Sequence, residues 1–128
     1  MTAQGHPRTI FRRAIEHGNL ILAEGMAQEL GQITLTEALE LVALVAQKDP
    51  RRHSRYAVRW LRRLLEEDER VTLEEAALAA SCLLALGGPS NEQAYAALLA
   101  MAERTLVSRS TVVRPSQASA TTSTTSAL

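Results

Sequence analysis

Aromatic side chains are nearly missing from this chain: one Phe, one Trp and two Tyr make up 3% of 128 residues. A β-sandwich fills its interior with β-branched and aromatic side chains, so an apolar fraction of 46% made mostly of Ala and Leu points instead to closely spaced helices. Cysteine is almost absent as well. Cys82 stands alone within the apolar run from Ala76 to Leu86, which excludes an intrachain disulfide and a cysteine metal cluster and makes this thiol a small buried hydrophobe rather than a nucleophile. A reducing cytoplasm suits such a chain. No apolar run reaches the ~20 residues of a membrane span, and no N-terminal apolar segment precedes a small-residue cleavage site, so the expectation is a soluble cytoplasmic protein without membrane contact.

Charge of one sign is lacking too. Lys and Arg number 14 and Asp and Glu number 14, so no overall field draws the chain to nucleic acid or an anionic membrane, and any electrostatic function must come from a local patch. Only Lys48 among the cations is a lysine. The remainder are arginines, which Ala- and Arg-favouring codon usage explains without selection for guanidinium chemistry.

Residues 107–128 are dominated by Ser, Thr and Ala, contain Pro115 and show no apolar period, so they read as a disordered tail. Residues 1–7 are likewise polar and unpatterned, leaving one domain over 8–106. Within it, Ile33-Thr34-Leu35-Thr36-Glu37-Ala38 recurs 38 residues later as Val71-Thr72-Leu73-Glu74-Glu75-Ala76. In each copy the Thr can accept from a first-turn amide while the Glu three residues on reaches back to the amide of the cap, a capping box. Ser90-Asn91-Glu92-Gln93, after Gly87-Gly88-Pro89, has the same form. These signals and the spacing of apolar residues by threes and fours predict helices over 8–17, 20–30, 35–48, 50–67, 73–86 and 91–106. Gly18-Asn19 either separates the first two or interrupts one long helix. The run from Ala76 to Leu86, apolar nearly all round, is expected at the centre.

The fold class is therefore all-α, five or six helices arranged as duplicated antiparallel helical hairpins. A paired-helix unit of this length resembles the α-solenoid repeats of the HEAT and tetratricopeptide kind, over roughly two units, although the Trp, Gly, Tyr and Pro pattern of tetratricopeptide repeats is not present. The resemblance implies a short solenoid with a concave protein-binding surface. A compact bundle made by duplicating one hairpin accounts for the same repeat.

Catalytic chemistry finds little support. His6, His17 and His53 lie far apart without the spacing of a helical zinc site and read as solvated surface residues, so no metal or cofactor is expected. Glu66, Glu67, Asp68, Glu69, Glu74 and Glu75 cluster, but at helix ends where nothing is expected to bury them or to shift their pKa values. The expectation is a protein that is not an enzyme. One feature rises above this background. At 100° per residue, Arg51, Arg52, Arg55, Arg59, Arg62 and Arg63 fall within an arc of about 120° on the helix from Pro50, with Tyr56 and Trp60 along one edge. Their order opposes the helix macrodipole, with arginines at the N-terminus and acids at the C-terminus. The bland account pairs Arg62 with Glu66 and Arg63 with Glu67 on a wet surface. The functional account is an anion-binding or partner-binding face. The leading expectation is thus a non-catalytic interaction or regulatory module whose partner is another protein or a second copy, with nucleic-acid binding through the Arg face as the alternative.

Overall fold

The computed structural model describes residues 6–108 in full and, from 109 to 126, the helical backbone alone. Six helices follow one another: α1 (Pro7–Glu16), α2 (Leu20–Leu30), α3 (Leu35–Lys48), α4 (Pro50–Glu67), α5 (Leu73–Ala85) and α6 (Asn91–Ser126), with no strand among the described residues. Val107 and Ser108 belong to α6, past the expected end at Leu106. Pro7 already belongs to α1, inside the stretch 1–7 expected to be disordered, while residues 1–5 and 109–128 of the expected disorder lie outside the fully described residues.

Local chemistry explains the boundaries. Both Thr capping boxes form: Thr34 Oγ1 accepts from the Glu37 amide while Glu37 Oε1 accepts from the Thr34 amide, and Thr72 and Glu75 repeat the pattern at the start of α5. In each copy the same Glu also accepts from an arginine of a neighbouring helix, Arg8 on Glu37 and Arg104 on Glu75. Gly18 resolves the first boundary. Its φ of +69° takes the chain out of α1, and Asn19 then caps α2 by accepting from the Leu22 amide. Pro50 occupies the first position of α4, where its missing N–H costs nothing.

The strongest pairings are α1 with α2, α3 with α4 and α5 with α6, so the architecture is three antiparallel hairpins. The first packs on the second through α2 and α3, and the second on the third through α4 with α5 and α3 with α6. Hairpins one and three share no substantial contact, the nearest-neighbour order of a solenoid. Two cores result. The larger joins Leu35, Leu39, Val42, Trp60, Leu64, Leu83 and Leu98, and the smaller joins Phe11, Ala14, Ala23, Leu41 and Leu44. Helix α3 supplies both from opposite faces.

That placement corrects the expected centre. Helix α3 buries seven residues, whereas α5 buries only Ala79 and Leu83 along its length and leaves Leu73, Leu78 and Leu84 exposed. A helix apolar nearly all round is covered here on one face only.

Candidate protein-interaction surface

The arginines of α4 divide into an inward and an outward set. Arg52 reaches across to α2, where Nη1 and Nη2 donate to the two oxygens of Glu24 at 2.8 and 3.3 Å, and its Nε donates to Asp49 at 2.7 Å. The Tyr56 hydroxyl donates to the same Glu24 carboxylate. Burial, the largest influence on Glu24, pushes its carboxyl up, but the bonds from Arg52 and Tyr56 outweigh it and hold the group below the usual carboxylate range. Burial and the Glu24 bond push the Tyr56 phenol up. Arg63 also faces inward, donating through Nη2 to Ile33 O and through Nε to Glu67, both at 2.6 Å, and so pins the α2–α3 connection.

Trp60 does not lie on the edge of the Arg face. Its ring is 2% exposed in the larger core and Nε1 donates to Leu35 O at 2.9 Å, so no base or partner side chain can stack on it. The solvent-facing basic set is then Arg51, Arg55, Arg59 and Arg62. Arg59 stands 6.0 Å from the Tyr56 ring centroid, and Arg62 pairs with Glu66 at 3.2 Å in an exposed i, i+4 bridge. Arg59, Arg52, Tyr56 and Glu24 border an open cleft of about 410 Å³ between α2 and α4, in which the Glu24 carboxylate already satisfies Arg52.

On the other side of the outward arginines, α4 and α5 form an apolar groove of about 250 Å³. Val58 and Leu61 line its α4 wall, Ala80 and Leu84 its α5 wall, and Ala57 and Leu83 its floor. Val58 is 63% exposed and Leu84 is 78% exposed, and the apolar strip continues along α4 to Leu65. At one end lies His53, which is half-buried rather than solvated: Nε2 sits 2.7 Å from Leu83 O, and Nδ1 is buried without a hydrogen-bond partner. A proton on Nε2 fits this geometry.

The acidic cluster is less uniform than its sequence. Asp68 is 4% exposed and its carboxylate accepts from the Arg70 amide and from Thr105 Oγ1. Burial pushes its carboxyl up, but these donors prevail and hold it low. The Glu75 carboxyl is held low by Arg104 and the Thr72 amide. Across the molecule, burial raises the Glu40 carboxyl between α1, α3 and α6, near Tyr95. Cys82 is half-buried. Among the described residues no three His, Cys, Asp or Glu side chains converge on one point, and no helix is long and apolar enough to cross a membrane.

The sequence reading missed Glu24 as the partner of Arg52 and Tyr56, because 28 and 32 residues of separation leave no periodic trace. It also missed the groove, whose α4 wall repeats at i and i+3 (Val58, Leu61) and whose α5 wall at i and i+4 (Ala80, Leu84), spacings that a buried stripe shares. No protein-family model, curated protein or solved structure matches the chain.

Proposed function

We propose that this chain is a non-catalytic interaction module that binds a protein through the groove between α4 and α5. The observation that carries the reading is the exposed apolar strip of Val58, Leu65 and Leu84 flanking that groove, beside guanidinium groups left facing water. Soluble monomers seldom expose contiguous apolar surface of this kind outside a binding site. A groove between two helices suits a partner helix laid along it, with apolar anchors one turn apart. Capture from cell extract by the full chain, treated with nuclease and compared with Val58→Asp and Leu84→Asp, tests this. Protein partners retained after nuclease and lost from both variants support the proposal; partners indifferent to both substitutions sink it.

Nucleic-acid binding keeps one supporting observation, the outward set of Arg51, Arg55, Arg59 and Arg62. If phosphates are the ligand, Arg55→Ala, Arg59→Ala and Arg62→Ala together should weaken binding equally for all sequences and flatten its salt dependence. Stacking would then have to come from Tyr56 alone, since Trp60 is enclosed.

A further inference from the structure

We infer that the clefts between α1, α3 and α6 form one site for a linear aliphatic diamine, with an ammonium group held at each end and the methylene chain lying across Ala43 and Tyr95. The site shares no residue with the α4–α5 groove, so it goes beyond the interaction reading above and stands apart from it. It begins with α3. At 100° per residue, Glu40, Ala43 and Gln47 fall within an arc of about 60°, between the α3 face that packs with α6 and the face that packs with α1. Two clefts remain over that strip. One, of about 220 Å³, holds Glu40 with Ile15 and Leu44, and the other, of about 230 Å³, holds Glu92 with Leu86 and Asn91. Ala43, Gln47 and Tyr95 line both, so the clefts run into each other and the two carboxylates stand at opposite ends. Counted at ~1.5 Å per residue from Ala43 and Tyr95, which meet between them, Glu40 and Glu92 lie about 9 Å apart along the helix axes.

The charges that face the strip choose the occupant. Carboxylates come from all three helices: Glu16 on α1, Glu40 on α3, and Glu92 and Glu103 on α6. Against them stands Arg12 of α1, while Glu37 is matched by Arg8, and Lys48 lies on the other flank of α3 beside Gly18. The groove is acidic after every one of these groups is counted. The N-terminus of α6 disfavours a cation at the Glu92 end, but the last carbonyls of α3 lie at the same end and offset it. Among the described residues no hydrogen bond or ion pair reaches the carboxylates of Glu40 and Glu92, the Tyr95 hydroxyl or the Gln47 amide. Burial lifts the Glu40 carboxyl, and burial together with Glu40 and Glu103 lifts the Tyr95 phenol, so a cation placed here relieves an under-compensated charge. A metal ion fits poorly, because no three His, Cys, Asp or Glu side chains converge on one point among the described residues. An organic cation fits better. Ile15, Ala43, Leu44 and Leu86 accept methylenes, and a Tyr ring beside a carboxylate attracts an alkylammonium group. A carboxylate at each end calls for two ammonium groups. A chain of four or five methylenes sets its nitrogens roughly 6–7 Å apart, which leaves a hydrogen bond of ~3 Å to reach each carboxylate.

Calorimetric titration of the full chain with putrescine at low salt tests the site. The expected result is saturable one-to-one binding with a Kd below about 1 mM, and a melting temperature that rises with the diamine concentration. Glu40→Gln and Glu92→Gln should each weaken binding roughly tenfold or more, since each removes one charge-assisted hydrogen bond, whereas Glu103→Gln, outside both clefts, should change it less than about threefold. Glu92 is exposed, so its replacement leaves the packing intact, and circular dichroism shows that each variant is folded. Butylamine has the same hydrocarbon chain with a single ammonium and should bind roughly tenfold more weakly than putrescine. Magnesium chloride separates a shaped site from an acidic surface: at matched ionic strength it should shift the putrescine affinity by less than about threefold. The inference is overturned by an absence of binding, by indifference to either Gln substitution, by butylamine binding as tightly as putrescine, or by displacement with magnesium. A lysine-bearing peptide that binds where putrescine does not also overturns it and hands the clefts to a protein ligand. None of these outcomes bears on Val58 and Leu84, so the interaction reading stands or falls by its own test.

Discussion

Asp68 closes α4 with its carboxylate buried against Thr105, an arrangement that leaves the charge dependent on three donors from Arg70 and Thr105. Its pKa is lower folded than unfolded, so the group stabilises the fold above the ordinary aspartate range and that contribution is lost as pH falls through the folded value. Asp68→Asn should therefore lower stability by about 1 kcal/mol at neutral pH through loss of the charge-assisted bonds from Arg70, since the new amide can still donate to Thr105 Oγ1 while that hydroxyl donates to Met101 O. Denaturant melts at stepped pH check this, the gap between parent and variant closing below about pH 4. Glu40 gives the opposite sign. Burial raises its folded pKa, so its ionisation costs stability as pH rises through the window between the unfolded and folded values. Glu40→Gln should raise the melting temperature at pH 7 and leave it unchanged in acid. Trp60 shows what a helical wheel can miss at this scale. It lies three residues after Ala57 and four before Leu64, the spacing of the buried stripe, while its sequence neighbours Arg59 and Arg62 share the Arg face, so the wheel position alone fits both edges. The indole reads as core once the core spacing is weighed before the charge pattern.

Helix boundaries were the most legible elements because each depends on a few neighbouring residues. Three of the six helices begin and end where capping and proline signals put them, and Gly18 needed only its left-handed conformation to settle the choice between one helix and two. A Cβ at Gly18 would also come within 3.2 Å of Lys48 Cε, though that side chain can move aside. Gly18→Ala should cost about 1 kcal/mol from the backbone alone, checked by thermal melting against Gly25→Ala, where nothing lies within 4 Å. The two boxes invite a paired measurement. Thr34→Ala and Thr72→Ala each remove the acceptor of a first-turn amide and should each cost ~1 kcal/mol. Similar losses in chemical denaturation show that the repeated hexapeptide does the same work twice; silence in both shows that the bonds through Arg8 and Arg104 hold these helix starts without the hydroxyl. What local signals could not convey is which apolar face meets a neighbour. Beyond its first turn helix α5 is apolar nearly all round, so its sequence fits the centre of a bundle or an edge awaiting cover, and only the packing of α3 between two hairpins decides for the edge.

At the scale of the whole molecule, the arrangement is a row of three hairpins rather than a closed bundle. The 38-residue repeat disclosed two of its units, but not how they stack, since register between hairpins depends on contacts such as Arg52 with Glu24 that no local pattern encodes. A row has a consequence for stability: each unit is held only by its neighbours, so an end can open while the rest remains folded. The first hairpin is the weaker end. Its core consists of Phe11, Ala14 and Ala23 against Leu41 and Leu44 of α3, with the Arg52 and Tyr56 bonds to Glu24 and the Arg8 bond to Glu37 as its polar ties. Helices α3 to α6 share the larger core, including Trp60, Leu64 and Leu98. Native-state hydrogen exchange should thus show the amides of α1 and α2 exchanging through an opening of lower free energy than those of α3 and α4. Phe11→Ala sharpens the test. Removing a ring that is 1% exposed should cost ~3–5 kcal/mol of the stability of that hairpin. If the units are separable, the loss appears as faster exchange and earlier proteolysis confined to α1 and α2, while protection in α4 and α5 is retained. Equal loss of protection in all six helices would mean that the two cores unfold as one, with α3 transmitting the damage from its Leu41 face to its Leu39 face.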